Sequence, residues 1–252
     1  FYFLPERFVV NTPLVEGWKK LETHPHLRSN PENLQILDDV TKRLTHEFEL
    51  KYTGQELGDI IQKGRELGLN NRGIEDFIFT GSRIKKRIDA PELITQMNHW
   101  VNVIRKRGFP EKFTSLKQFE EFKIGVKKLV DDFGIPSNDI RVQGSALRTP
   151  NAQDVDLAIF VSEAQLPQIK ATLRARAKID FGTNDDAFEK YMRKIEKQMN
   201  MGYIKNRQFG LINGKSIMQN IYQGGIYPRN KALDLSIIIK ERNFNVSPYL
   251  HF

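Results

Sequence analysis

Residues 143–156 read QGSALRTPNAQDVD, and the apolar run LAIFV (157–161) follows without a break. Side chains alternate across a strand, so Asp154 and Asp156 share one face, roughly 6–7 Å apart along the chain. Val155, Leu157, Ile159 and Val161 fill the other face, and Ala158 and Phe160 continue the face of the aspartates. A strand apolar on both sides belongs inside a covered sheet, which leaves the acidic pair at its mouth. Two carboxylates held together there call for a cation, and hard oxygen ligands suit Mg²⁺.

A second segment complements the first. In KALDLSIIIK (231–240), Leu233, Leu235, Ile237 and Ile239 form an apolar row, and Asp234 falls on the more polar row with Ala232 and Ser236. Laid beside the first strand, it brings a third carboxylate to the pair. Upstream, RVQGS ends a short strand at Gly144-Ser145, and SALRT starts a short helix. Backbone N–H groups at such a turn make a phosphate cradle, to which Ser145 adds a hydroxyl and Arg148 a charge. A cradle beside a carboxylate set describes a triphosphate site.

The rest of the chain sets the context. Its 252 residues are 39% hydrophobic and 28% charged, an ordinary globular composition. There is no cysteine, which excludes thiolate zinc sites, cysteine nucleophiles and disulfides. No apolar stretch is long enough to span a bilayer. The net charge of +8 favours anionic partners such as nucleotides or nucleic acid. The first residue is Phe1 rather than Met, which reads as an excised piece of a longer protein.

Residues 1–33 carry Pro5, Pro13, Pro25 and Pro31 without sustained periodicity and read as an irregular arm, wrapped on the body through Phe1, Phe3, Phe8 and Trp18. Leu34, Leu37, Val40, Leu44 and Phe48 recur at helical spacing, as do Leu57, Ile60, Ile61 and Leu67. Further helices are expected over Ile74–Phe79, over Pro91–Lys106 with proline in the first turn, and over Leu116–Phe133 behind a Ser115/Gln118 capping box. Residues 34–138 are thus expected to form a helical domain and 139–252 a mixed one. The mixed part includes helices over Glu163–Arg176 and Asp185–Met201 and a hairpin turn at Asn213-Gly214.

Gly144-Ser145, a spacer of eight residues, Asp154-Val155-Asp156 and a later Asp234 in LDLSI together resemble the DNA polymerase β-like nucleotidyltransferase superfamily. The likeness covers roughly residues 140–240, and the spacer lies at the short end of the family's range. It implies an α/β (α+β) polymerase-β-like nucleotidyltransferase fold, with a small mixed sheet preceded here by a helical domain. It also implies transfer of a nucleoside monophosphate from an NTP to an acceptor hydroxyl, with release of pyrophosphate. Asp154, Asp156 and Asp234 would then hold two Mg²⁺ ions, with Mn²⁺ as a substitute, and Gly144, Ser145 and Arg148 the nucleotide. The family points to RNA, tRNA above all, as acceptor, with an aminoglycoside-like molecule or a protein hydroxyl as alternatives; an inactive RNA- or protein-binding version is the alternative of another class. The stretch 132–161 is also similar to nucleotidyltransferase domains of secreted bacterial polymorphic toxins. That likeness implies delivery as part of a larger protein, action in a target cytoplasm and a cognate immunity protein as partner.

Other candidates are weaker. Arg83, Lys85, Lys86, Arg87, Arg105, Lys106 and Arg107, interleaved with Trp100, Phe109 and Phe113, can hold a nucleic-acid backbone or form a solvated face over core aromatics. Of Arg174, Arg176, Lys178, Lys190, Arg193, Lys194 and Lys197, one or two are expected to reach the triphosphate. His24 and His26 lack a third ligand, and His99 reads as a packing residue. Gly81-Ser82 repeats the Gly-Ser pair with no acidic pair downstream.

Overall fold

The computed structural model describes residues 31–43, 52–82, 88–229, 231–242 and 246–252. The chain divides into two compact units, Phe1–Val103 and Ile104–Phe252. The boundary falls inside a π-helical turn, Trp100–Ile104, rather than near residue 138. The reason is packing. The helix Leu116–Asp132, expected in the helical domain, buries Phe119, Phe122, Val126 and Val130, and its phenylalanines pack edge-on or tilted against Tyr227 and Phe252 of the mixed unit. No helix of the described residues is long and apolar enough to cross a membrane, in keeping with the sequence.

The first unit contains α1 (Pro31–Arg43), α2 (Gly54–Glu66), α3 (Asn71–Gly81) and α4 (Ala90–His99). Pro31 opens α1 instead of closing the arm, because its fixed φ suits a first helical turn. The apolar periodicity becomes a core of Ile36, Leu37, Val40, Leu57, Ile60, Ile74, Phe77, Leu93 and Met97. Thr53 and Glu56 form a reciprocal capping box on α2, and Asn70 and Asp89 cap α3 and α4. The Gly81-Ser82 pair is explained here. A Cβ on Gly81 would lie 2.1 Å from the Tyr52 hydroxyl, which donates to the Ile88 carbonyl at 2.7 Å. The arm's aromatic residues, His24, His26, Leu44 and Phe48 lie outside the described residues.

The second unit contains α5 (Leu116–Asp132), β1 (Ile140–Gln143), β2 (Asp154–Val161), α6 (Leu166–Phe181), α7 (Asp185–Asn200) and β3 (Tyr203–Lys205). A minimal hairpin, β4 (Leu211–Ile212) and β5 (Lys215–Ser216), turns at Asn213-Gly214. It leads into α8 (Ile217–Gln223), β6 (Ala232–Ile239) and β7 (Leu250–His251). Ser115 caps α5 as expected, but the Gln118 side chain returns to Thr114 N, at 2.8 Å, rather than to its cap residue.

Five strands form a small mixed sheet in the order β3-β6-β2-β1-β7. The central pair, β2 and β6, is parallel, and the other pairs are antiparallel. Val155, Leu157, Ile159, Leu235 and Ile237 are almost wholly buried, and this row anchors the sheet. On the opposite face, Ala158, Phe160 and Ile238 form a separate cluster against Tyr203, while Ala232 and Asp234 stand exposed at the mouth. The fold is thus mixed α and β with a small sheet, as expected.

Candidate active site

The register of β2 against β6 decides how the acidic residues meet. Asp154 pairs with Ala232, and Asp156 with Asp234. Neighbouring strands lie about 4.8 Å apart, so Asp156 and Asp234 emerge side by side, with Asp154 two residues along on the same face. Like charges directly opposite each other destabilise a sheet. The arrangement therefore costs stability, and the chain accepts that cost only at the solvent end of its central strand pair.

Gly144 closes on the same spot. It leaves β1 with φ 81°, and the single turn Ser145–Leu147 follows it. A Cβ on Gly144 would meet Asp156 Oδ2 at 2.0 Å, so only glycine lets the backbone pass against that carboxylate. Gln143 pairs with Asp156 across the β1–β2 ladder, which brings the turn and the acidic pair together. Ser145 is half-buried in the first turn, and Arg148, also half-buried, ends it.

Asp234 is held by its surroundings. Its Oδ1 accepts from Asn206 Nδ2 at 2.9 Å and from the Leu235 amide at 2.8 Å. Among the described residues, no three acidic or histidine side chains stand close enough to hold a metal ion. The backbone thus delivers the three carboxylates to one face, while the Asp234 carboxylate is engaged with Asn206. The chemistry of the three side chains nevertheless suits a hard divalent cation: all are carboxylates, and Asp156 and Asp234 are neighbours in register.

Two tyrosines border the carboxylates. The Tyr222 hydroxyl accepts from the Leu233 amide at 3.1 Å and donates to the Lys231 carbonyl at 3.2 Å. Burial, with the Asp234 charge nearby, raises its pKa. Tyr227 is 2% exposed, and its hydroxyl finds no hydrogen-bond partner among the described residues. Burial, then Tyr222 and the Asp154 charge, push it up to about 12. Both phenols therefore stay protonated at neutral pH, as donors rather than bases. Neither the tyrosines nor Asn206 was flagged by the sequence reading. The aromatic residues just before the Asp234 strand were a usable signal. Asn206 had none, since its contact depends on the three-residue strand β3.

The basic clusters are only partly placed. Arg83, Lys85, Lys86 and Arg87 lie outside the described residues. Arg105 and Lys106 are exposed on a helical turn, Arg105–Arg107. Arg107 is engaged internally: it donates to the Phe113 carbonyl at 2.8 Å and lies over the Phe109 ring at 4.2 Å. Of the aromatic residues interleaved with these cations, Phe109 and Phe113 are core residues, as the solvated-face alternative has them, and Trp100 is half-buried. In the later set, Arg176 lies over Phe133 and donates to the Asp132 carbonyl, and Arg174 lies over Phe188.

Compared with protein-family models, curated proteins and solved structures, the chain matches none.

Proposed function

We propose that the chain is a metal-dependent nucleotidyltransferase that moves a nucleoside monophosphate from an NTP to an acceptor hydroxyl, with RNA as the acceptor class. The observation that carries this reading is the pairing of Asp156 with Asp234 on parallel strands, with Gly144 packed against the Asp156 carboxylate. Asp154 and Asp156 are the residues that would hold both Mg²⁺ ions, and Asp234 would hold the one nearer the acceptor. When bound, such ions neutralise phosphate charge and lower the pKa of a coordinated hydroxyl.

The chain's own residues then bind and orient. The amides of the Gly144-Ser145 turn and the Ser145 hydroxyl hold the β- and γ-phosphates. The acceptor oxygen forms a bond to the α-phosphorus as the bond to the bridging oxygen breaks, and pyrophosphate leaves. Asp234 Oδ2, which takes no hydrogen bond from a described residue, receives the acceptor proton. Catalysis on this reading is positioning plus charge stabilisation.

The test is pyrophosphate release from each NTP with Mg²⁺ and bulk RNA. Asp154→Ala, Asp156→Ala and Asp234→Ala should each lower it by about 10³-fold or more while the fold is kept. Near-normal release in any of them ends the reading.

A further inference from the structure

The order of strands gives the site a direction. The phosphate turn follows β1, on one flank of the acidic pair, and Asp234 stands on β6, on the other. In an in-line displacement the attacking and leaving oxygens lie on opposite sides of the phosphorus. With the leaving phosphates on the β1 side, the acceptor must come in past β6, over the edge strand β3. This direction rests on the nucleotidyltransferase reading; what β3 presents does not.

Tyr203 lies opposite Ile238 and Lys205 opposite Ser236, which puts both on the carboxylate face. Tyr203 is half-buried against Ala158, Phe160 and Ile238, so its ring is anchored. Lys205 is exposed, with its ammonium 6.0 Å from that ring. Asn206 follows and holds Asp234, so the turn after β3 is fastened to the third carboxylate. Arg207 comes next and is exposed. Neither Lys205 nor Arg207 pairs with a carboxylate among the described residues, whereas Lys170, Lys240 and Arg242 all do. A lysine on an edge strand also discourages edge-to-edge pairing, but that role needs neither the carboxylate face nor a neighbouring aromatic ring.

We propose that β3 and the turn after it form an acceptor track for the unpaired end of a polynucleotide, with Tyr203 as a base-stacking platform and Lys205 and Arg207 on the phosphates. Anchored aromatic rings beside unpaired cations are what single-strand binders use. The same cations repel a polyamine acceptor of the aminoglycoside kind.

The experiment measures fluorescence anisotropy of labelled single strands of about 12 nucleotides, ribo and deoxyribo, with the full chain in EDTA. Lys205→Glu with Arg207→Glu should weaken binding by about tenfold or more and flatten the slope of log K against log salt by about 1.4. Tyr203→Leu should weaken it by about tenfold, and Tyr203→Phe should leave it unchanged. The ratio of ribo to deoxyribo affinity names the sugar. An unchanged affinity in the double charge variant overturns the proposal, and so does a wild-type protein that binds neither strand, whether or not it binds a polyamine or a protein. A second arm follows calorimetric binding of a non-transferable Mg·NTP analogue, which the charge variants should keep. If the wild-type protein fails to bind the nucleotide yet binds the strands, the reaction reading falls and the track stands.

Discussion

Gly144→Ala isolates the closest approach in the site. Gly144 sits at φ 81° and ψ −157°, a region that is essentially glycine's alone. Occupying it with alanine costs about 1–3 kcal/mol in backbone strain. The new Cβ also meets Asp156 Oδ2 at 2.0 Å and its Cγ at 2.9 Å, so the carboxylate must swing away. It cannot swing freely, because Asp156 is flanked in register by Gln143 on one side and Asp234 on the other. The expected stability loss is about 2–4 kcal/mol in all, read as a lower urea midpoint with an unchanged slope.

Gly214→Ala is the matched control. Gly214 also has positive φ, 72°, but nothing lies within 4 Å of its Cβ position, so only backbone strain of about 1–2 kcal/mol applies. The excess loss at Gly144 therefore measures the contact with Asp156. Nucleotidyl transfer should fall at least about 10²-fold at Gly144, because a displaced carboxylate forfeits charge stabilisation, and should be unaffected at Gly214. Equal stability losses in the two variants, or normal transfer by Gly144→Ala, would refute the reasoning.

Two further outcomes follow from polar groups. Asp139 takes two short bonds from Arg141, at 2.6 and 2.7 Å, and one from Lys240 at 2.8 Å, and Arg141 above all lowers its pKa to about 2. The unfolded value is about 3.9, so the ionised form contributes stability above pH ~4 that is lost as pH falls towards 2. Asp139→Asn should thus cost about 1–2 kcal/mol at pH 6, discounted for partial exposure, with the difference from wild type narrowing below pH ~4 and closing only as pH falls below about 2 in paired urea titrations. Tyr227→Phe removes a buried hydroxyl that has no protein partner while keeping the ring against Phe113 and Phe122. Thermal stability should stay level or rise, by up to about 1 kcal/mol, and a clear fall in Tm would show that the hydroxyl is satisfied after all.

The elements carried by long periodic stretches were legible in the sequence. The apolar rows of α2, α5 and α7 and the two-faced apolarity of β2 are each sustained over many residues, and β2 and β6 appear where alternation placed them. The three carboxylates were legible because an acidic residue in a buried strand conflicts with its setting. The residues missed share a different character. β3 and β7 are three and two residues long, too short for any period, and exist only because β6 and β1 offer them ladders. Asn206 depends on such a strand, and Arg107 turned inward because a phenylalanine core lay beneath it. Charge in the sequence does not reveal which cations tertiary contacts consume.

The parallel pairing of β2 with β6 has a consequence for the integrity of the site. Both ends of the pair lie on one sheet, yet α6, α7, β3 and the β4–β5 hairpin all intervene along the chain. A break at the exposed turn after α6, around Gly182 and Thr183, would leave Asp154 and Asp156 on one fragment and Asp234 on the other. Neither fragment would carry a complete carboxylate set, and no local segment could rebuild it. The acidic cluster can exist only where the two halves have annealed in register, and a slip of one residue would turn Asp234 to the opposite face from Asp156. The proposed chemistry would therefore be silent until the sheet is closed, and a partly assembled chain would be inert by construction.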